Sequence, residues 1–133
     1  MDAGPIIAVL DSRDQWHAQA VLAWPGLVRR CVTTEAALVE ASHLLARGRG
    51  DHAVALEFLL ANEVPILAPH MMLHEACFQI MRRWGAAMDY GDAVLVALAG
   101  RLGIHHIFTF DRRGFAEYRA LHGRHFEIIP ALT

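Results

Sequence analysis

Four carboxylates stand out in this 133-residue chain because of what surrounds them. Asp92 opens DAVLVALAG, in which one acid is followed by eight residues without a polar side chain, and Asp89 lies three residues upstream. Asp111 directly follows HHIFTF, Glu40 sits inside TEAALVEASHLLAR, and Asp2 precedes AGPIIAVL. In an α/β protein, ligands gather at the carboxyl ends of parallel strands, where helix N-termini also point. Acids brought together there repel unless a cation offsets them, and Mg²⁺ or Mn²⁺ suits an all-oxygen set. Such a site activates water and steadies the charge on a phosphodiester. Each acid also has an ordinary explanation. Asp92 fits a helix-start acid, and Asp111 an N-cap for the helix carrying Phe115 and Tyr118. Glu40 fits an exposed helix position, and Asp2 lies next to a terminus. Spacing alone leaves both readings open.

The elements that must position these acids follow from periodicity and punctuation. Asp14 can cap a helix DQWHAQAVLAW that Pro25-Gly26 ends, and LVRRCV (27–32) alternates like a strand. Thr33 or Thr34 caps the helix containing Glu40, with Ala37, Leu38, Ala41, Leu44 and Leu45 at helical spacing and Gly48 and Gly50 as stops. Asp51 caps a third helix to about Asn62, VPILA (64–68) is a short apolar strand, and a long helix spans about 70–84. The helix at 91–102 is apolar all round, so most of its surface must be buried, and Gly103 stops it. HHIFTF (105–110) reads as a strand, RRGFAEYRA as a helix and HFEIIP as a last strand. Strands alternating with helices over short connections give an α/β fold with a parallel sheet covered on both faces.

Taken together, these blocks resemble the PIN-domain ribonucleases, most closely the VapC-type toxins of bacterial toxin–antitoxin pairs. MDAGPIIAVLDSRDQWH is similar to the family's opening block, TTEAALVEASHLL to its second, and MDYGDAVLVALAGRLGIHHIFTFDRRGFAEYR to its third and fourth. The resemblance implies one PIN-like domain over 1–133, a three-layer α/β/α arrangement around a mostly parallel sheet of four to five strands. It implies that Asp2, Glu40, Asp92 and Asp111 surround Mg²⁺ or Mn²⁺ and serve an endoribonuclease, the toxin of a type II pair. Asp89 and Thr109 are then supporting residues, Asp89 as an outer acid and Thr109 by hydrogen bonding. The implied partners are RNA, a cognate antitoxin and a second copy in a homodimer. In the family several residues precede the first acid, whereas only Met1 precedes Asp2. The first strand is therefore expected to be truncated, which raises the alternative of a catalytically impaired PIN domain serving as a binding or regulatory module.

Composition narrows the remaining classes. An apolar share of 55% suits a packed core, not disorder, and no apolar run reaches the roughly 18 residues of a membrane span. With no secretory pattern at the N-terminus, a cytoplasmic protein is expected. Cys31 and Cys77 read as separate thiols. A net charge of −2 argues against a basic nucleic-acid coat, although every cationic residue is Arg. Of these, Arg112 and Arg113, beside Asp111, are the candidates for holding RNA phosphate. His70 and His74 lack the His-Glu-x-x-His arrangement of zinc proteases, and His105-His106 read as residues at an exposed strand end. A phosphohydrolase with a carboxylate nucleophile would want Asp-x-Asp, which neither Asp2 nor Asp111 has.

Overall fold

Helix caps and strand ends set the framework of the computed structural model, which describes residues 1–120 and 123–131. The elements run α1 (Ala3–Leu10), α2 (His17–Leu27), β1 (Thr33–Thr34), α3 (Glu35–Arg49), α4 (Val54–Ala61) and β2 (Ile66–Leu67). Then come α5 (Met71–Trp84), a 3₁₀ turn (Gly85–Ala87), α6 (Tyr90–Leu102), β3 (His106–Phe108), α7 (Arg112–Glu117) and β4 (Glu127–Ile129). Leu121, His122, Leu132 and Thr133, part of the expected 1–133 domain, lie outside the described residues.

The layers follow from strand alternation. Ile107 and Phe108 are neighbours on β3, so their side chains leave opposite faces of the sheet. Ile107 packs into a core with α5, α6 and α7, including Cys77, Val94, Val96, Phe115 and Tyr118. Phe108 packs into a second core with α1, α3 and α4, including Ile6, Ala41 and Leu59. Helices therefore cover both faces, as expected of a three-layer α/β/α protein. In α6, the five residues from Ala93 to Ala97 are all buried, which accounts for its lack of a polar face.

The sheet is less continuous than the sequence suggests. β1 pairs with β2 and β3 with β4, both parallel, as two separate two-stranded pieces. Met1 and Asp2 lie between them: the amino group of Met1 donates to the carbonyl of Val32 (2.7 Å), and the amide of Asp2 to that of Phe108 (3.0 Å). The hydroxyl of buried Thr33 donates to the carbonyl of Met1 (2.8 Å), which fixes this junction.

Several boundaries also differ from expectation. Pro25 and Gly26 lie inside α2, which runs on to Leu27. A proline one turn from a helix end removes only one hydrogen bond, while Trp24 anchors this turn on Phe58 at 5.0 Å. Of the segment 27–32, Leu27 closes α2 and the rest is a turn and irregular chain instead of a strand, because the chain reverses through Arg29 at φ 66° and the amide of Arg30 donates to Leu27. Asp14 and Asp51 form turns just ahead of α2 and α4, accepting the amides of Trp16 (2.7 Å) and Ala53 (2.8 Å). α3 passes through Gly48 to Arg49 and stops at Gly50, whose φ of 70° suits a left-handed cap.

Candidate active site

Three helix starts bring the acids to one edge. Asp2 is the N-cap of α1 and accepts the amide of Ala3 (2.7 Å). Asp89 is the N-cap of α6 and accepts the amide of Asp92 (2.9 Å), so Asp92 stands in the first turn of that helix. Asp111 is the N-cap of α7 and accepts the amide of Gly114 (3.3 Å). Glu40 reaches the same edge from the side of α3. The ordinary explanations for Asp92 and Asp111 are thus true as local statements: both complete helix starts. What the tertiary structure adds is that these starts converge.

The electrostatics record the convergence. Burial pushes the Asp92 carboxyl up to about 7, and the negative charges of Asp89, Asp2 and Asp111 push the same way against one hydrogen bond from Tyr118. Asp2 is raised chiefly by burial, with Asp111 adding to the rise and the Thr109 and Ala3 hydrogen bonds opposing it. Glu40 is raised by burial first and then by Asp2 and Asp89. Carboxylates that shift one another are near neighbours, here with Asp2 and Asp92 half-buried and Glu40, Asp89 and Asp111 exposed. Among the described residues, no three of these acids bring their oxygens within 4.8 Å of one another. As a donor set the group fits a hard divalent ion: it offers carboxylate oxygens and neither thiolate nor imidazole.

Thr109 ties two of the acids together. It is fully buried, its hydroxyl donates to Asp2 Oδ2 (2.7 Å), and the same oxygen accepts the amide of Asp111 (3.0 Å). Trp16 stacks on Phe110 with ring centroids 5.2 Å apart, holding the residue between Thr109 and Asp111. Arg112 and Arg113 diverge. The Arg112 guanidinium donates to the carbonyl of Pro130, and its Nε is buried without a partner among the described residues. Arg113, by contrast, is exposed in the first turn of α7.

Sequence reasoning missed Tyr118. Its ring is 1% exposed, and its hydroxyl donates to the carbonyl of Ala87 and lies 3.2 Å from Asp92 Oδ2. Burial and the charge of Asp92 push its own pKa up, which keeps it a neutral donor. The available signal was a buried-type aromatic with a polar end, seven residues after Asp111. Its helical spacing marked it only as a core residue. Tyr118→Phe should destabilise the protein by about 1–2 kcal/mol, since the hydroxyl bond from the buried Tyr118 to the carbonyl of Ala87 is lost. It should also raise the Asp92 pKa further. Denaturant unfolding and NMR titration of the carboxylates of wild type and variant check both.

Gly114 matters for the same contact. A Cβ there would stand 2.8 Å from the Tyr118 ring and 2.9 Å from Asp111 Oδ2. Gly114→Ala should therefore cost about 1–3 kcal/mol through overpacking. A fall in the denaturation midpoint with an unchanged denaturant slope is the expected reading.

A family model described as PIN domain matches residues 1–121. Among solved structures, VapC20 of Mycobacterium tuberculosis, described as a Sarcin-Ricin loop cleaving toxin, aligns with a TM-score of 0.73. The identity is 23%, and the alignment covers 83% of this chain and 87% of that one, a likeness of fold. No curated protein sequence matches the chain.

Proposed function

Because the chain belongs to the PIN domain family, we infer that it is a Mg²⁺- or Mn²⁺-dependent endoribonuclease, the toxin of a type II toxin–antitoxin pair. The observation that carries this reading is the convergence of Asp2, Glu40, Asp92 and Asp111, recorded in the charges that act on Asp2, Glu40 and Asp92. These four acids would hold the ion, with Asp89 outside them. When bound, such an ion neutralises charge and activates water for attack on a phosphodiester.

The chain's own residues supply the positioning. Thr109 orients Asp2 through its hydroxyl and the Asp111 backbone through its oxygen. The Tyr118 hydroxyl, 3.2 Å from Asp92 Oδ2, favours the ionised, ligand-ready form of that acid. Arg113, exposed in the first turn of α7 next to Asp111, would be the residue to meet an RNA phosphate.

A groove lined by Val39, His43, Pro69 and Tyr90 runs from Glu40 and Asp89, and Met71 and Met72 are exposed. This apolar surface next to acids suits a cognate antitoxin or the second copy of a homodimer. Among the described residues no helix is long and apolar enough to cross a membrane. Both cysteines are free, which fits action in the reducing cytoplasm.

The test is cleavage of structured RNA by the purified protein in Mg²⁺ or Mn²⁺, repeated in EDTA. Cleavage that persists in EDTA overturns the metal mechanism. Absence of cleavage together with absence of metal binding favours an impaired PIN domain acting as a binding module.

A further inference from the structure

A second group of metal-ligating side chains stands at the other end of β3. Among the described residues, His105, His106 and Glu127 place one donor atom each within 4.8 Å of one another. Glu127 Oε2 lies 3.0 Å from His106 Nε2, and Glu127 Oε1 lies 3.6 Å from His105 Nε2.

Two features of the fold create this group. Glu127 is the register partner of His106 across the parallel β3–β4 pair, and its amide donates to the carbonyl of His105 (2.8 Å). Consecutive strand residues ordinarily point to opposite faces. His105 precedes the strand proper, so its ring turns beside that of His106, with centroids 4.3 Å apart. Both imidazoles consequently meet one carboxylate. The group is open to solvent, with His106 52% and Glu127 66% exposed at their side chains, and both histidines line a cleft beside Met1 and Cys31.

We propose that His105, His106 and Glu127 form a metal site for a borderline transition-metal ion, Zn²⁺ first, separate from the carboxylate groove. Two imidazoles and one carboxylate with open positions suit Zn²⁺, Ni²⁺ or Cu²⁺, whereas Mg²⁺ prefers oxygen ligands alone. One donor atom from each residue lies within 4.8 Å of the other two, compact enough to close on an ion whose bonds are about 2.0–2.2 Å long. The ion would pin the start of β3 to the start of β4. It lies five residues upstream of Asp111 along an extended chain, too far to share a ligand with that acid.

Zn²⁺ titration by calorimetry, with circular dichroism of each variant as a folding check, tests this. Wild type should bind one tight equivalent of Zn²⁺ that excess Mg²⁺ does not displace. His106→Ala and the near-isosteric Glu127→Gln should each weaken that binding at least tenfold while Mg²⁺-dependent RNA cleavage is unchanged. Asp92→Asn should retain it. Unchanged Zn²⁺ affinity in His106→Ala, loss of the tight equivalent in Asp92→Asn, or no tight binding in wild type would each overturn the proposal. None of the overturning outcomes depends on the protein being a nuclease.

Discussion

Asp92→Asn is expected to lower metal-dependent RNA cleavage by about 100-fold or more while leaving the fold intact. Removing one charged group that acts directly on the reacting centre of a preorganised site commonly costs about 10²–10³ in rate. The substitution is close to isosteric. An asparagine keeps the shape of the side chain beside the Tyr118 hydroxyl, and the cap bond to Asp89 Oδ1 uses only the backbone amide of residue 92. What disappears is the negative charge at the point where Asp2, Asp89 and Asp111 also bear on the site. Single-turnover cleavage in Mg²⁺, beside near-ultraviolet circular dichroism, separates loss of chemistry from loss of fold. Full activity in a folded Asp92→Asn protein would remove this residue from the mechanism.

Without divalent metal, the protein should become less stable as pH rises from about 4 to about 7. The sign follows from linkage. The Asp92 carboxyl titrates near 7 in the folded protein against an ordinary value of 3.8. The native state therefore holds a proton that the unfolded chain has released, and stability falls with rising pH across that window. Below the lower value both states are protonated, and above the upper one the loss is complete. Asp2 and Glu40 shift in the same direction and add to the slope. For Asp92 alone, after discounting for the water that reaches a half-buried carboxylate, the loss is about 1–2 kcal/mol. That corresponds to roughly 3–8 °C in melting temperature for a chain of this size. Melting curves in EDTA at pH 5 and pH 8 should show the fall in wild type and a smaller one in Asp92→Asn. Added Mg²⁺ should restore stability at pH 8, since an ion bound only by the folded state stabilises it. An equal slope in the variant would mean that other groups dominate.

Much of the framework could be read before any coordinates. Thr34 at the start of α3, Asp92 and Asp111 at the starts of α6 and α7, and Gly103 at the end of α6 are local signals. A short side chain reaches a nearby amide, or a glycine takes a left-handed turn, whatever the rest of the chain does. Periodicity likewise gave α3, α5 and α6 nearly to their ends. The errors share a cause. Segment 27–32 has strand-like composition, yet its hydrogen bonds go to a turn and to Met1, because strand pairing depends on which backbone lies alongside. Pro25 sits within α2 because contacts with Phe58, distant in sequence, outweigh one lost bond.

The same division holds for the site. By itself the sequence marked Asp92 and Asp111 as helix-start acids and required that α6 be buried beyond its first turn. Asp92 therefore has an apolar helix behind it and an open end before it. Only the tertiary structure decided that Asp2, Glu40, Asp92 and Asp111, up to 109 positions apart, share one edge. It also decided that Thr109 joins two of them, that Tyr118 reaches a third, and that Arg112 turns toward Pro130. Caps and periodicity act over a few residues and are written locally. A carboxylate's pKa and its neighbours depend on burial and on charges from other elements, which exist only once the layers have packed.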